Sequence, residues 1–154
     1  MEDEREKLSL SQLALITGLS DRMLRNHLAS GILQGEKIEG KWFFTAEQTE
    51  EFVCHPAVRP GILAKQNAAV YDFLLENGKT ACETCMVVDF PQCSKVEIAR
   101  YFCSRISSEE FRKIHFSFDG VPKVPRVILK GDTADVLRLI NGFWQEQCAG
   151  QPEK

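Results

Sequence analysis

Arg22, Arg25 and Asn26 lie close together in the amphipathic stretch DRMLRNHLAS. A guanidinium group or a side-chain amide can donate hydrogen bonds to the phosphates and base edges of nucleic acid. The helical period places these three side chains on one side of a helix and apolar residues on the other. The apolar residues expected to be buried are Met23, Leu24 and Leu28. The sequence therefore predicts a helix whose polar side could meet a DNA groove.

A second group with chemical possibilities is the Cys-x-x-Cys pair of Cys82 and Cys85, followed by Cys93 eight residues further on. Two thiolates at this spacing can chelate a soft metal such as zinc, and Cys93 could supply a third sulfur. No histidine follows at the spacing of a zinc finger, and the pair precedes a predicted strand, whereas a redox-active thiol needs a helix N-terminus. We therefore expect thiols without a metal or redox function, and a zinc site or a thiol-based redox sensor stays open as an alternative.

Composition excludes several classes of protein. The 154 residues are 44% hydrophobic, which is enough for a packed core. The chain lacks a Gly-rich phosphate loop, a nucleophile elbow and paired catalytic carboxylates, so we expect neither an enzyme nor a cofactor. It also lacks an apolar run that could cross a bilayer or act as a signal peptide, so we expect a cytoplasmic protein without a membrane partner. The formal net charge of −3 means that any DNA binding must come from a local patch.

The elements that must position the basic residues follow a simple order in the N-terminal third: helix, tight turn, helix, β-hairpin, helix. Ordered structure is expected to begin near Leu8. Ser9 or Ser11 caps a first helix that runs to about Gly18, and Ser20 caps the second. The hairpin turns at its Glu-Gly pair, and Lys37 and Lys41 flank that turn. An aromatic return strand leads into a capped acidic helix.

The second half of the chain predicts the order α-β-α-β-β-α. Its first helix is expected over residues 62–77, with Leu63 and Leu74 among the inward residues. Its last helix is expected to bury Leu137 and Trp144, among others. The segment HPAVRPG separates the two halves, because each proline disfavours helix at the residue before it.

On these residues, the N-terminal third resembles the DNA-binding domain of the MerR and excisionase-like superfamily. The matching features are Ala14, the turn Thr17-Gly18-Leu19-Ser20, Arg22, Leu24-Arg25, Gly31-Ile32-Leu33 and the aromatic end of the hairpin. The resemblance implies a winged helix-turn-helix, in which the second helix enters the major groove and the wing contacts the adjacent backbone. The Trp42-x-Phe44 pattern is more similar to the excisionase-like branch than to MerR itself.

Carried over position by position, the resemblance implies that Arg22, Arg25 and Asn26 contact DNA and that Lys37 and Lys41 contact phosphates. Arg22 and Asn26 suit base edges, since a guanidinium matches guanine and an amide matches adenine, whereas Arg25 and the lysines suit phosphate anchoring. Residues 8–46 carry four basic against three acidic side chains, a net charge of about +1, which predicts weak non-specific affinity and binding as a homodimer. As an alternative, the same helices bind a protein partner and their charges only face solvent.

The predicted fold class is α+β, a winged helix-turn-helix followed by a small α/β domain. The predicted parts are an acidic disordered tail (1–7), the DNA-binding domain (8–54), a linker (55–61), the α/β domain (62–147) and a disordered tail (148–154). The α/β domain is expected to dimerise the protein or to bind a small-molecule effector, because its first helix stands where MerR-type proteins have a dimerisation helix. Its aromatic residues are either core or the lining of an effector pocket. The expected function is transcriptional regulation through double-stranded DNA.

Overall fold

The structure is a computed structural model and describes residues 7–149, with side chains through Gln147. Six helices and two antiparallel three-stranded sheets make up this part of the chain, which confirms the predicted α+β class. The two predicted tails lie outside the described residues, except for Lys7 and for the backbone of residues 148 and 149, which continues the last helix. Within residues 7–149, no helix is long and apolar enough to cross a bilayer.

The N-terminal unit is a small sheet surrounded by three helices. Its elements are β1 (Leu8–Ser9), α1 (Leu10–Thr17), α2 (Asp21–Ser30), β2 (Glu36–Ile38), β3 (Lys41–Phe44) and α3 (Ala46–Cys54). The central strand β3 pairs with β2 to form the predicted hairpin, in which Lys37 lies opposite Trp42. It also pairs with β1, where Leu8 lies opposite Phe44. The sequence does not predict β1, because a strand of two residues has no period of its own and its partner β3 lies far along the chain.

Side-chain caps define where these helices begin. The Ser9 Oγ accepts a hydrogen bond from the backbone N–H of Gln12 at 3.2 Å, and the Gln12 Oε1 accepts one from the Ser9 N–H at 2.9 Å. Thr45 and Gln48 form the same reciprocal pair at the start of α3. Ser20 caps α2, as the sequence predicts. These local bonds satisfy amides that a helix leaves free in its first turn.

The C-terminal unit follows the predicted order of elements. They are α4 (Arg59–Leu75), β4 (Glu83–Asp89), α5 (Lys95–Ile106), β5 (His115–Asp119), β6 (Arg126–Asp132) and α6 (Thr133–Ala149). The central strand β6 places Leu129 opposite Met86 of β4 and Phe116 of β5. Both pairings are antiparallel. The unit is therefore of the α+β type, and the predicted α/β domain, which would have a parallel sheet, is wrong in this respect.

Several predicted helix faces are wrong. Five side chains expected to be buried are at least one-third exposed: Met23, Leu63, Leu74, Leu137 and Trp144. For α4 the reason is that the helix begins at Arg59 and packs its first turn, through Ile62, into the core of the N-terminal unit. This contact sets the buried side of α4 as Ile62, Gln66 and Ala69, which leaves Leu63 and Leu74 on the outer side.

The two units are joined by packing as well as by the chain. Residues 55–61, expected as a linker, contain a turn and the first residues of α4. Ile16 of α1 belongs to the core of the C-terminal unit, so α1 lies against both units. The Gln66 Nε2 donates a hydrogen bond to the carbonyl of Phe118 at 3.0 Å. Arg59 and Asp119 form a two-bond ion pair between the start of α4 and the end of β5.

Candidate nucleic-acid interface

The five side chains predicted to contact DNA are all exposed. Arg22, Arg25 and Asn26 lie on α2, Lys37 on β2 and Lys41 on β3. The opposite side of α2 is anchored by Leu24, which is fully buried in the core that α2 shares with β3 and α3. Because α2 and β3 pack on one common core and β2 pairs with β3, the elements that carry the five residues are positioned relative to one another.

The polar side of α2 is open to a partner. Arg22 and Asn26 make no side-chain hydrogen bond or ion pair with any residue from 7 to 149. Arg25 lies 3.6 Å from Asp21, but both side chains are 60% exposed, so this ion pair holds Arg25 only weakly. These side chains can reorganise around a ligand without losing buried contacts.

The hairpin carries its two lysines in different surroundings. The Lys37 Nζ lies 5.8 Å from the centre of the Trp42 ring, which favours a fixed position over the strand. Lys41 is exposed beside the turn, where Glu39 and Gly40 both have positive φ angles of 51° and 80°. This two-residue loop is the type that keeps a hairpin narrow. The hairpin is therefore a slim projection with a cation on each strand.

The turn between α1 and α2 is held by side chains. The Thr17 Oγ1 donates to the carbonyl of Leu13 at 2.8 Å and accepts from the N–H of Leu19 at 3.2 Å. Gly18 has a φ of 75°, a left-handed conformation that suits glycine. At the other end of α2, the ring of His27 meets the ring of Phe52 edge-on at 5.4 Å. Both contacts fix how α2 projects from the molecule.

Comparison with protein-family models, curated proteins and solved structures finds no match to this chain.

The structure does not bring the three candidate cysteine ligands together. Cys82 is exposed, and Cys85 and Cys93 are partly buried in or near different elements. Burial raises the pKa of both Cys85 and Cys93, and Glu97 raises that of Cys93 further. Burial also raises the pKa of Cys103 to about 12. Among residues 7–149, no three Cys, His, Asp or Glu side chains lie close enough to hold a metal ion.

The structure contains a cleft that the sequence analysis missed. It lies between α3 and α5 and has a volume of about 250 Å³. The side of α3 that faces it bears Ala46, Thr49, Glu50 and Val53, and the side of α5 bears Lys95, Val96, Ala99, Arg100 and Cys103. Of the aromatic residues considered for an effector pocket, Phe118 lines this cleft. Periodicity finds each stripe separately, but it cannot show that two helices far apart in sequence face each other.

Proposed function

We propose that this protein is a sequence-specific DNA-binding regulator, in which α2 is the recognition helix of a winged helix-turn-helix and the β2–β3 hairpin is the wing. The observation that carries the proposal is the polar side of α2, where Arg22, Arg25 and Asn26 are all exposed while Leu24 anchors the helix from behind. An α-helix of this kind fits the major groove of B-DNA.

The side chains divide into two roles in this proposal. Arg22 and Asn26 have no described partner to give up, so they are suited to base edges, where a guanidinium matches guanine and an amide matches adenine. Arg25, Lys37 and Lys41 are suited to phosphates, which position a protein on DNA without reading sequence. Lys7 lies 3.4 Å from Glu36 and offsets one carboxylate of the hairpin.

Alanine substitutions should separate these two roles. After selection of bound fragments from genomic DNA, Arg22→Ala should lower affinity for the enriched sequence by about ten-fold and relax the base preference, because one base contact is lost. Arg25→Ala and Lys41→Ala should weaken binding to all sequences and reduce the salt slope by about one each, because each removes a phosphate contact. Fluorescence anisotropy at several salt concentrations measures both effects.

Lys113→Ala is the matched control, because Lys113 is also exposed but lies before β5, outside α2 and the hairpin. This variant should keep the wild-type affinity and salt slope. If all three interface variants bind as the wild type does, or if no DNA sequence is enriched, the polar side of α2 is not a DNA interface. A protein partner would then be the function to examine.

We further propose that the regulator is a homodimer that pairs through the outer side of α4. This side is mostly apolar: its exposed residues are Leu63, Ala64, Ala68, Tyr71, Leu74 and Leu75, with Asn67 as a polar residue among them. Four of them, Ala64, Ala68, Tyr71 and Leu75, follow the alternating spacing of four and three residues that is typical of a helix–helix seam. A second copy presents the same side, so a two-fold pair covers both. Two copies would also double the DNA contacts of a weakly charged domain.

Tyr71→Glu should raise the dissociation constant of this dimer by at least ten-fold, because the two-fold axis would bring like charges together and desolvate them. Analytical ultracentrifugation over a concentration series measures the effect. Leu137→Glu is the control, since Leu137 is a half-exposed apolar residue of α6, and it should leave the dimer unchanged. A wild-type protein that is monomeric throughout the series, or a Tyr71→Glu variant that dimerises normally, would contradict the pairing.

A further inference from the structure

The α3–α5 cleft has an apolar floor. The floor is lined by residues that are each less than one-tenth exposed: Ile16, Ile62, Ala99, Cys103 and Phe118. Residues of α3 and α5 line its two sides. Its volume of about 250 Å³ lies just below the range of about 300–1,000 Å³ that is typical of ligand pockets, so it suits a small ligand. A ligand of about ten non-hydrogen atoms would fill this space and replace water against apolar walls.

The charges around the cleft do not cancel. Arg59 and Asp119 are also at its edge, but they are paired with each other. Of the remaining charged side chains on the two facing helices, Lys95 and Arg100 are positive and Glu50 is negative. Neither Lys95 nor Arg100 has a carboxylate within ion-pair distance among residues 7–149. The side of α5 that faces the cleft therefore carries two positive charges with no described counter-charge.

The position of Lys95 adds to this imbalance. It is the first residue of α5, where the amides of the first turn place a partial positive charge that the Ser94 cap and Glu97 offset only in part. A lysine is unfavourable at such a position, because a helix start favours an acidic side chain or a bound anion. An anionic group in this part of the cleft would supply a counter-charge for Lys95 and Arg100, which both line it.

We propose that the α3–α5 cleft binds a small organic acid, with an apolar body of about ten non-hydrogen atoms against the floor and one carboxylate held by Lys95 and Arg100. The ligand would touch α3 of the N-terminal unit and α5 of the C-terminal unit, and so fix one relative to the other. The effector role of the acid rests on the proposed function as a regulator. The binding of the acid in the cleft is independent of that function.

Isothermal titration of the full chain with phenylacetate and hexanoate tests the proposal without any DNA. We expect saturable binding of at least one acid, at one site per chain. The matched neutral amides, phenylacetamide and hexanamide, should bind at least about ten-fold more weakly, because they cannot form charge-assisted hydrogen bonds with the two cations. Absence of saturable binding by both acids at concentrations up to about 10 mM, or equal binding of acids and amides, would overturn the proposal.

Three variants locate the site. Lys95→Gln and Arg100→Gln should each lower the affinity for the acid by about ten-fold, whereas Lys113→Gln should not change it. Val96→Phe should abolish binding by filling the cleft, and the protein should still fold because Val96 is 46% exposed. Unchanged binding in all three cleft variants would place the acid elsewhere and refute the assignment.

Anisotropy of DNA binding with and without the acid then tests its role. A change in DNA affinity that is lost in Val96→Phe would support the effector role. If the acid binds in the cleft but the protein selects no DNA, the ligand site stands and the proposed regulator function fails. If DNA binds and the acid has no effect on it, the regulator function stands and the effector role is refuted.

Discussion

Replacing Arg59 with alanine is expected to lower the free energy of unfolding by about 3 kcal/mol, because it leaves a buried carboxylate without its partner. The Nη1 of Arg59 donates to the Oδ1 of Asp119 at 2.7 Å, and the Nη2 donates to the Oδ2 at 3.0 Å. The Asp119 side chain is only 9% exposed, so hydration compensates only in part for the lost bonds. The hydrogen bond with Asp119 is also the main reason that the pKa of Arg59 is raised.

Arg126→Ala is the matched control for this loss. Arg126 also donates two hydrogen bonds to one carboxylate, from its Nε and Nη2 to the two Asp89 oxygens at 2.7 and 3.1 Å, but both side chains are about half exposed. An exposed pair gains little over hydration and is screened by salt, so its removal should cost much less than removal of Arg59. Urea unfolding of the two variants under identical conditions compares a buried two-bond pair with an exposed one.

A second variant separates the unpaired charge from other losses. Arg59→Met with Asp119→Asn removes the charge of both partners, and the asparagine oxygen can still accept the N–H of Val121, which lies 3.3 Å from the Asp119 Oδ1. This double variant should be more stable than Arg59→Met alone. If Arg59→Ala and Arg126→Ala lower the free energy of unfolding equally, burial of the Arg59–Asp119 pair adds nothing to its contribution to stability.

Local signals in the sequence were sufficient for much of the fold. Ser20 and Thr45 cap helices because a cap involves residues only three positions apart, and such a spacing is visible in the chain. The Glu-Gly turn predicted the hairpin for the same reason, since two residues determine the loop. The same locality made the five candidate DNA contacts predictable as exposed residues.

Features that depend on distant parts of the chain were not predictable. Arg59 and Asp119 are 60 positions apart, and no period connects them. The buried side of α4 is decided by contacts with the N-terminal unit, so the apolar pattern of α4 alone pointed to Leu63 and Leu74 instead of Ile62 and Ala69. A helix with apolar residues on two sides has no single preferred face until its neighbours are known. The α3–α5 cleft was missed for a related reason, because it is the space between two elements.

The role of Gly142 in α6 also depends on a distant part of the chain. A glycine inside a helix usually costs stability, so sequence alone would favour alanine at this position by about 1 kcal/mol. In the structure, however, a Cβ at Gly142 would overlap the hydroxyl oxygen of Tyr101 on α5. That hydroxyl donates a hydrogen bond to the carbonyl of Leu139 at 2.7 Å, and the ring packs edge-on against Phe143. The aromatic ring therefore cannot move aside without losing both contacts.

Gly142→Ala should consequently lower the free energy of unfolding by about 2 kcal/mol, since an overpacking cost of about 3 kcal/mol exceeds the gain of about 1 kcal/mol in helix propensity. Tyr101→Phe should cost about 1 kcal/mol on its own, for the lost hydrogen bond. The same change removes the overlapping oxygen and leaves the ring carbon Cζ at an ordinary 3.6 Å from the new Cβ. Tyr101→Phe combined with Gly142→Ala should therefore be close to wild type and more stable than Gly142→Ala alone.

Urea unfolding of the three variants measures this reversal. Gly61→Ala is the control, because Gly61 also lies in a helix but a Cβ there would meet open space, so this change should stabilise the protein by several tenths of a kcal/mol. If the costs of the two changes at positions 101 and 142 simply add, Gly142 and the Tyr101 hydroxyl are independent and the close approach of α5 and α6 does not require glycine. If the double variant recovers stability, Gly142 is explained by its neighbour on α5, a cause that no pattern within α6 contains.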